Sequence, residues 1–318
     1  MKILLFGRGV IATFYGWALH QAGHEVEFYV RPGRAAAYGD AVDLDVVDAR
    51  RRPWAMRVSQ RWPVRLREDL PADHDFDLVV LSVSHHHLPE AAAFLAPRLS
   101  NATVLVFGNV WADPVAAVAP LPVDRLAWGF PQAGGGFGTD GVLRGPMLPS
   151  VLFGTLGQPP TERERAVRAV FAGAGFRVRE RPDFRGWLWV HFVSDAALHA
   201  QGVRVGSLAG LIGNTAALRE ALRTGRELVP LLEARGVDLH RHRGGLRHLT
   251  LPVWLVAPVF SWLVAHFAPA RANFAAHADP TAEEPRAVCR DVLAEARRLG
   301  VPAPRLEAAE RHFAAADS

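Results

Sequence analysis

Residues 1–31 read MKILLFGRGVIATFYGWALHQAGHEVEFYVR and decide the fold of the first half of the chain. The apolar run at residues 2–6 predicts a buried strand of a parallel sheet. A glycine turn follows it, and the spacing at residues 11–21 predicts a helix that ends at Gly23. A second strand is predicted at residues 25–30. This order of elements predicts a Rossmann-type α/β domain.

The pattern continues beyond this stretch as short apolar runs that alternate with helical spacing. Strands are predicted at residues 78–83 and 103–107, and a helix between them near residues 89–95. Residues 126–154 are rich in glycine and predict antiparallel strands that close the domain. A linker follows at residues 157–160. Thr161 and Glu164 then have the spacing of a capping box at the start of a helix.

The remainder of the chain, after a short strand near residues 176–178, has helical spacing. Five helices are predicted, at residues 185–200, 214–235, 252–268, 281–299 and 303–315. We therefore expect an N-terminal Rossmann-type parallel sheet domain at residues 1–158. An all-α C-terminal domain is expected at residues 159–318.

Composition indicates a soluble globular protein, because 50% of the 318 residues are hydrophobic and 21% are charged. The single cysteine, Cys289, excludes an intramolecular disulfide and is predicted to be a packing residue. The N-terminus shows no export signal, so the sequence predicts a cytoplasmic protein. Lys2 is the only lysine, and the arginines are spread along the chain without a nucleic-acid-binding motif. A nucleic-acid partner is therefore not expected.

Residues 249–268 form a run whose apolarity and length approach those of a membrane span. Pro252, Pro258 and His266 weaken that interpretation. We expect a packed helix or a subunit contact here, with a membrane anchor as the less favoured alternative.

The glycine turn is the candidate cofactor site. Gly7-x-Gly9-x-x-Ala12 lies between a predicted strand and helix, where backbone amides and the helix dipole bind a pyrophosphate. Gly7 permits the tight turn, Gly9 allows the phosphates to approach, and Ala12 keeps the helix close to the sheet. The predicted cofactor-binding residues of this turn are Gly7, Arg8, Gly9, Val10 and Ile11.

The residue after the second strand predicts the choice of dinucleotide. An NAD site usually has Asp or Glu at that position, whereas this chain has Val30 followed by Arg31. An arginine can pair with a 2′-phosphate, so the sequence favours NADP (NADPH) over NAD, and Arg34 could assist. The alternative is that Arg31 is a solvated loop residue.

With these residues the chain resembles the ketopantoate reductase family over nearly its whole length. The resemblance rests on the opening segment, on VLVFGNV ending at Asn109 and Val110, on Trp189-Val190-His191, and on Glu284 ahead of Gly300-Val301-Pro302. It implies NADPH-dependent reduction of a small-molecule substrate and a homodimer. It also implies that Asn109 helps to hold the nicotinamide ribose and the substrate in the catalytic site, and that Glu284 is an active-site residue.

The chain departs from the family pattern at the catalytic positions. His191 replaces the family's catalytic lysine, and Asp195 and His199 replace two asparagines. Ser84 replaces a second lysine and is kept as a cofactor-binding candidate. The substrate-binding serine corresponds to Ala272 or Asn273. The resemblance therefore implies the fold and the cofactor but not ketopantoate as the substrate.

The altered residues still form a chemical pattern. His191, Asp195 and His199 are four residues apart and share one helix face. A carboxylate beside an imidazole orients it and raises its proton affinity, so His191 is the predicted proton donor. His199, Asn273 and His277 are the predicted substrate-binding residues. The alternative is a solvated polar face.

Two further histidine groups are interpreted as loops. Residues 85–87 are consecutive, and consecutive residues do not easily share one tetrahedral metal site, so no metal is expected there. The histidines at 240, 242 and 248 lie among arginines and predict a polar connection, with the gating of a pocket as the alternative.

The sequence favours the first of three functions, and the other two are kept as alternatives. The first is an NADPH-dependent reductase of a carbonyl or imine whose substrate is larger or more apolar than ketopantoate. The second is a non-redox isomerase or cyclase in which His191 and Asp195 transfer protons. The third is a cofactor-binding protein without turnover.

Overall fold

The computed structural model describes residues 1–50 and 56–314, and these residues form two compact units. The first unit covers Met1–Phe184 and the second begins at Arg185. The last residue of the helix predicted at residues 303–315 lies outside the described part of the chain. The Rossmann-type sheet followed by a helical region is confirmed.

The strands lie in the first unit, within its described residues. In chain order they are β1 (Lys2–Phe6), β2 (Glu25–Tyr29), β3 (Ala41–Asp48), β4 (Met56–Pro63), β5 (Arg65–Arg67), β6 (Leu78–Leu81), β7 (Thr103–Phe107), β8 (Leu126–Phe130), β9 (Gly136–Phe137), β10 (Leu143–Met147), β11 (Ser150–Gly154) and β12 (Arg177–Arg181). The main sheet has eight strands in the order β12-β11-β8-β7-β6-β1-β2-β5. Its neighbours pair in parallel, except that β8 and β11 are antiparallel, as expected for the glycine-rich segment.

Helices cover the main sheet. Those of the first unit are α1 (Val10–Gln21), α2 (Ala35–Tyr38), α3 (Leu88–Leu95), α4 (Pro114–Ala117) and α5 (Glu162–Gly173). Two small residues of α1, Ala12 and Gly16, allow its close approach to the sheet. Ala12 is 1% exposed, and a Cβ at Gly16 would lie 3.0 Å from Cζ of Phe28. The role predicted for Ala12 agrees with this packing.

A second sheet was not predicted from the sequence. It has four strands in the order β4-β3-β10-β9. Residues 41–48 (AVDLDVVD) nevertheless carry a strand signal, because apolar and acidic residues alternate along most of the segment. In the structure the buried and the more exposed positions alternate in the same way. Apolar side chains of this strand, including Val42 and Leu44, join the core of the main sheet.

The boundary between the units differs from the predicted boundary after residue 158. Helix α5 and strand β12 belong to the first unit, because β12 pairs in parallel with β11 from Ser150↔Arg177 to Gly154↔Arg181. The side chains of β12 are mostly charged (RVRER), which is typical of an exposed edge strand. The predicted linker at residues 157–160 is therefore a connection within the first unit.

The capping box at the start of α5 is confirmed. The Thr161 hydroxyl accepts a hydrogen bond from the Glu164 amide at 3.2 Å, and Oε2 of Glu164 accepts one from the Thr161 amide at 2.7 Å.

Replacing Thr161 with alanine is expected to lower the free energy of unfolding by about 1 kcal/mol, because a backbone donor of the first turn loses its partner. Urea denaturation of the full chain measures the change. Thr161→Ser keeps the hydroxyl and serves as the control. Equal midpoints for the alanine and serine variants would contradict the assigned role.

The second unit is helical throughout its described residues. Its helices are α6 (Phe184–Arg204, beginning at the last residue of the first unit), α7 (Thr215–Glu227), α8 (Val229–Ala234), α9 (Arg243–Thr250), α10 (Val253–His266), α11 (Ala268–Ala276), α12 (Glu283–Arg298) and α13 (Pro304–Ala309). The helix predicted at 214–235 is two helices that meet at Leu228. Helices α9 and α11 were not predicted, because arginine, glycine and proline obscure their spacing.

Cys289 has the packing role expected of it. Its side chain is fully buried on α12, and its thiol donates a hydrogen bond to the carbonyl of Ala196 on α6 at 3.6 Å. Burial raises the pKa of the Cys289 thiol. The residue therefore joins two helices of the second unit.

Within residues 1–50 and 56–314, no single helix is both long and apolar enough to cross a membrane. Helices α9 and α10 together meet the criterion of length and composition, but their axes are bent by 110°.

Candidate functional site

The carboxyl ends of three neighbouring parallel strands define the candidate cofactor site of the first unit. Strand β1 lies between β2 and β6. The strand that follows β1 in this sheet is added on one side of β1, and β6 and β7 are added on the other side. Open α/β sheets bind ligands at such a switch point. Gly7 directly follows β1, while Ser84 and Asn109 follow β6 and β7 within a few residues.

The glycine turn has the conformation that dinucleotide binding requires. Gly7 has φ of +92°, a region that L-residues with a side chain rarely adopt, and its amide donates to the Tyr29 carbonyl at 2.9 Å. Gly9 is the N-cap of α1 and provides no side-chain cap. A Cβ at Gly7 or Gly9 would meet nothing within 4 Å. The turn is therefore an open cradle beside the first-turn amides, which fits a pyrophosphate.

Arg8 is held between aromatic rings at this turn. Its guanidinium lies 4.7 Å from the ring centre of Tyr38 and 5.4 Å from that of Phe137. Burial lowers the pKa of Arg8 from its ordinary value, and Nε is buried without a hydrogen-bond partner among the described residues. An arginine remains charged despite such a shift, so the turn carries a fixed positive charge.

Arg31 lies on an exposed loop two residues beyond β2. Its side chain forms no ion pair within the described part of the chain. Gly33 has φ of +80°, and the Arg34 guanidinium lies 5.4 Å from the ring centre of Tyr38. Arg31 and Arg34 therefore both lie on the loop that follows β2.

Glu68 holds this loop in place, and sequence reasoning did not identify it. Its Oε1 accepts a hydrogen bond from the Ala35 amide at 2.6 Å. Hydrogen bonds from the amides of Ala35, Gly33 and Arg34 hold the pKa of Glu68 below its ordinary value. Glu68 follows β5, the strand that pairs with β2, so only the sheet pairing brings it to the loop.

Ser84 and Asn109 are both half-buried beside the switch point. Ser84 is the N-cap of a 3-10 turn formed by residues 85–87, in which His85 is buried and His87 is exposed. Among the described residues, no group of three or more His, Cys, Asp or Glu side chains has the geometry of a metal site.

Helix α6 of the second unit carries the predicted catalytic pair. Nε2 of His191 lies 3.3 Å from Oδ2 of Asp195. The imidazole stacks on the Trp187 ring at 5.2 Å between centroids, with an interplanar angle of 6°. A carboxylate on the ring edge and an indole on its face together fix the orientation of His191.

His199 interacts electrostatically with four other predicted residues of this unit. Burial is the largest effect and lowers its pKa, while the carboxylates of Asp195 and Glu284 oppose that shift. His277 and His191 also interact with it electrostatically and lower its pKa. Its Nδ1 is buried without a hydrogen-bond partner among the described residues. The structure therefore brings together five predicted residues from α6, the end of α11 and the start of α12.

His277 and Asn273 have different places in this cluster. Nδ1 of His277 lies 2.7 Å from the backbone carbonyl of Asn273, so this nitrogen carries the proton and donates it. Nε2 is then the nitrogen available to a ligand. Asn273 contributes its backbone to this contact, and the substrate-binding role predicted for its side chain stays a prediction. Glu284 lies in the first turn of α12.

An apolar cavity of about 350 Å³ lies within the second unit. Ser194, Ala197 and Leu198 of α6 line it, on a face of the helix next to the one that carries His191, Asp195 and His199. His248 also lines the cavity, and burial lowers the pKa of that histidine. The interpretation of His248 as part of a polar connection was wrong, because Leu246 and Leu249 anchor α9 in the core.

Comparison with known proteins gives one family and one fold. Residues 3–134 match the family model described as ketopantoate reductase PanE/ApbA. The solved 2-dehydropantoate 2-reductase from Geobacter metallireducens GS-15 is 16% identical, with 98% of this chain and 99% of that chain covered and a TM-score of 0.71. The chain has no match among curated proteins.

Two other solved structures extend the comparison. D-mandelate dehydrogenase with NADH and anilino(oxo)acetate is 13% identical, with 98% and 97% of the two chains covered and a TM-score of 0.72. A dimeric ketopantoate reductase from Staphylococcus aureus is 12% identical, with 98% and 97% covered and a TM-score of 0.66. At these identities the likeness shows a shared fold.

Proposed function

The N-terminal part of the chain, residues 3–134, belongs to the ketopantoate reductase family, and from this premise we propose an NADPH-dependent reductase of a carbonyl or imine. The observation that carries the proposal is the open glycine cradle at the switch point of the sheet, with the exposed Arg31 beyond β2. A nicotinamide cofactor supplies a hydride when it is bound.

The first unit provides the cofactor contacts in this proposal. The backbone of the turn holds the pyrophosphate, through Gly7, Arg8, Gly9, Val10 and Ile11. Arg31 pairs with the 2′-phosphate of NADP, while Glu68 fixes the backbone of its loop. Ser84 and Asn109 lie at the same edge of the sheet, where the nicotinamide ribose would bind.

The second unit provides the proton in this proposal. His191 donates it to the oxygen or nitrogen of the reacting group, and Asp195 orients the imidazole at 3.3 Å. Glu284, His199 and His277 complete a polar cluster that positions the substrate. The chain has no lysine other than Lys2, so the proton cannot come from a lysine of α6.

We propose a substrate larger or more apolar than ketopantoate. The apolar cavity beside α6 supports this, because its walls include Leu198, Leu222 and Phe260. Binding of a hydrocarbon or aryl group there is favourable, because its apolar surface leaves water.

A homodimer is also proposed, since the fold occurs in a dimeric ketopantoate reductase. Sedimentation analysis measures the oligomeric state.

The test of the function begins with the cofactor. We expect NADPH to bind more tightly than NADH, and Arg31→Ala to weaken NADPH binding by about 10–100-fold, because a charge-assisted pair with the 2′-phosphate is lost. NADH affinity should stay unchanged. Fluorescence titration of the purified protein measures both constants.

The control is Arg177→Ala, which removes another exposed arginine, on β12. Equal losses of NADPH and NADH affinity in Arg31→Ala would contradict the assignment to the 2′-phosphate. A panel of 2-oxo acids, ketones and imines with increasingly large apolar groups then tests turnover. Absence of NADPH consumption across the whole panel would contradict the reductase proposal.

A further inference from the structure

Helix α10 exposes an apolar face to solvent. Trp254 is 73% exposed, Trp262 is 60% exposed and Phe267, directly after the helix, is 55% exposed. Leu255, Val259 and Leu263 extend the same exposed surface, while only Ala257, Ser261 and Val264 of the helix are buried. Large apolar patches of this kind mark sites of interaction with a protein or a membrane.

The segments that flank α10 are basic. Residues 239–278 contain no Asp or Glu. Arg243 and Arg247 on α9 and Arg271 on α11 are exposed, and none of the three pairs with a carboxylate among the described residues. The helices before and after α10 therefore both carry arginines whose charge is not neutralised by a nearby carboxylate.

We propose that the α10 face, defined as Trp254, Leu255, Val259, Trp262, Leu263 and Phe267, binds to the surface of an anionic lipid bilayer. Tryptophan and phenylalanine side chains insert at the boundary between headgroups and acyl chains. The arginines of α9 and α11 pair with lipid phosphates. Charge complementarity selects this partner over a second copy of the chain, which would bring arginines against arginines and offers no carboxylate in the segment.

The geometry is that of a helix lying in the interface. Helix α10 has 14 residues and is therefore about 21 Å long, whereas the hydrocarbon core of a bilayer is about 30 Å thick. The 110° bend between α9 and α10 allows the basic helix to remain at the headgroups. Binding is thus peripheral and reversible.

Co-sedimentation of the full chain tests the proposal, with vesicles of phosphatidylcholine mixed with phosphatidylglycerol and vesicles of phosphatidylcholine alone. We expect binding to the anionic vesicles only, and its loss at about 1 M salt, where the screening length falls to about 3 Å. Trp254→Ser with Trp262→Ser is expected to reduce partitioning by at least about tenfold. Arg243→Ser with Arg247→Ser should reduce it by roughly fivefold per arginine.

Matched variants distinguish binding through this surface from non-specific adsorption of the protein to vesicles. Met56→Ser with Val123→Ser removes apolar side chains of similar exposure from the first unit, and Arg177→Ser with Arg179→Ser removes exposed arginines of β12. Both should bind vesicles like the parent chain, and nucleotide affinity should be unchanged in every variant as a check of folding. Equal binding to neutral vesicles, no vesicle binding, or an α10 variant that only dissociates a dimer would each overturn the proposal.

Discussion

Replacing His191 with alanine is expected to lower kcat by about 10²–10⁴-fold, the usual effect of removing a general acid. The affinity for NADPH should not change, because the proposed role of His191 is proton donation to the substrate and none of the proposed cofactor contacts involves it. Steady-state kinetics and fluorescence titration of the same preparation measure the two quantities.

Asp195→Asn separates positioning from proton donation in this experiment. The amide keeps the size of the side chain but removes the charge that orients His191 at 3.3 Å, so kcat should fall, but less than in His191→Ala. His240→Ala, at an exposed position of the same unit, is the control. A kcat for His191→Ala within twofold of the parent value would remove His191 from the mechanism.

Gly9→Asp is expected to weaken nucleotide binding by about 100-fold or more, because a carboxylate at the start of α1 repels the pyrophosphate. Folding should be preserved. Gly9 is the N-cap with extended backbone at φ −77° and ψ 177°, and a Cβ there meets nothing within 4 Å. Aspartate is itself a favourable N-cap residue, so the free energy of unfolding should stay equal or rise slightly.

Gly9→Ser separates the effect of the negative charge of aspartate from the effect of adding a side chain. Serine also caps the helix but adds no negative charge, so its effect on binding should be smaller than that of aspartate. Titration with NADPH and denaturation by urea compare the three proteins. Tight binding by Gly9→Asp would show that the turn does not hold the nucleotide.

The features predicted correctly from the sequence are local ones. Strands β1 and β2, the glycine turn and the capping box at Thr161 each depend on residues close together in the chain. The position of β12 depends on its pairing with β11, which no local pattern contains, and for this reason the predicted boundary was too early. The four-stranded sheet was missed for a related reason, because β3 and β10 are far apart in the sequence.

The candidate site shows the same division. The pair of His191 and Asp195 follows from helical spacing alone. Glu284 and His277 come near His199 through the packing of three helices, and only the family resemblance placed Glu284 in the site beforehand. Glu68 could not be identified, because its partner at Ala35 lies 33 residues earlier and is reached through the sheet.

Because Cys289 is buried against Ala196, its chemical labelling reports on the local separation of α12 from α6. The thiol is inaccessible while α12 and α6 remain packed, and its raised pKa keeps it protonated and unreactive. Since no other cysteine is present, alkylation in the native state proceeds only through separation of these two helices. The rate of labelling therefore measures how often α6 and α12 separate. A ligand that binds only to the packed form of the second unit lowers this rate, because only the unliganded fraction of the protein can open.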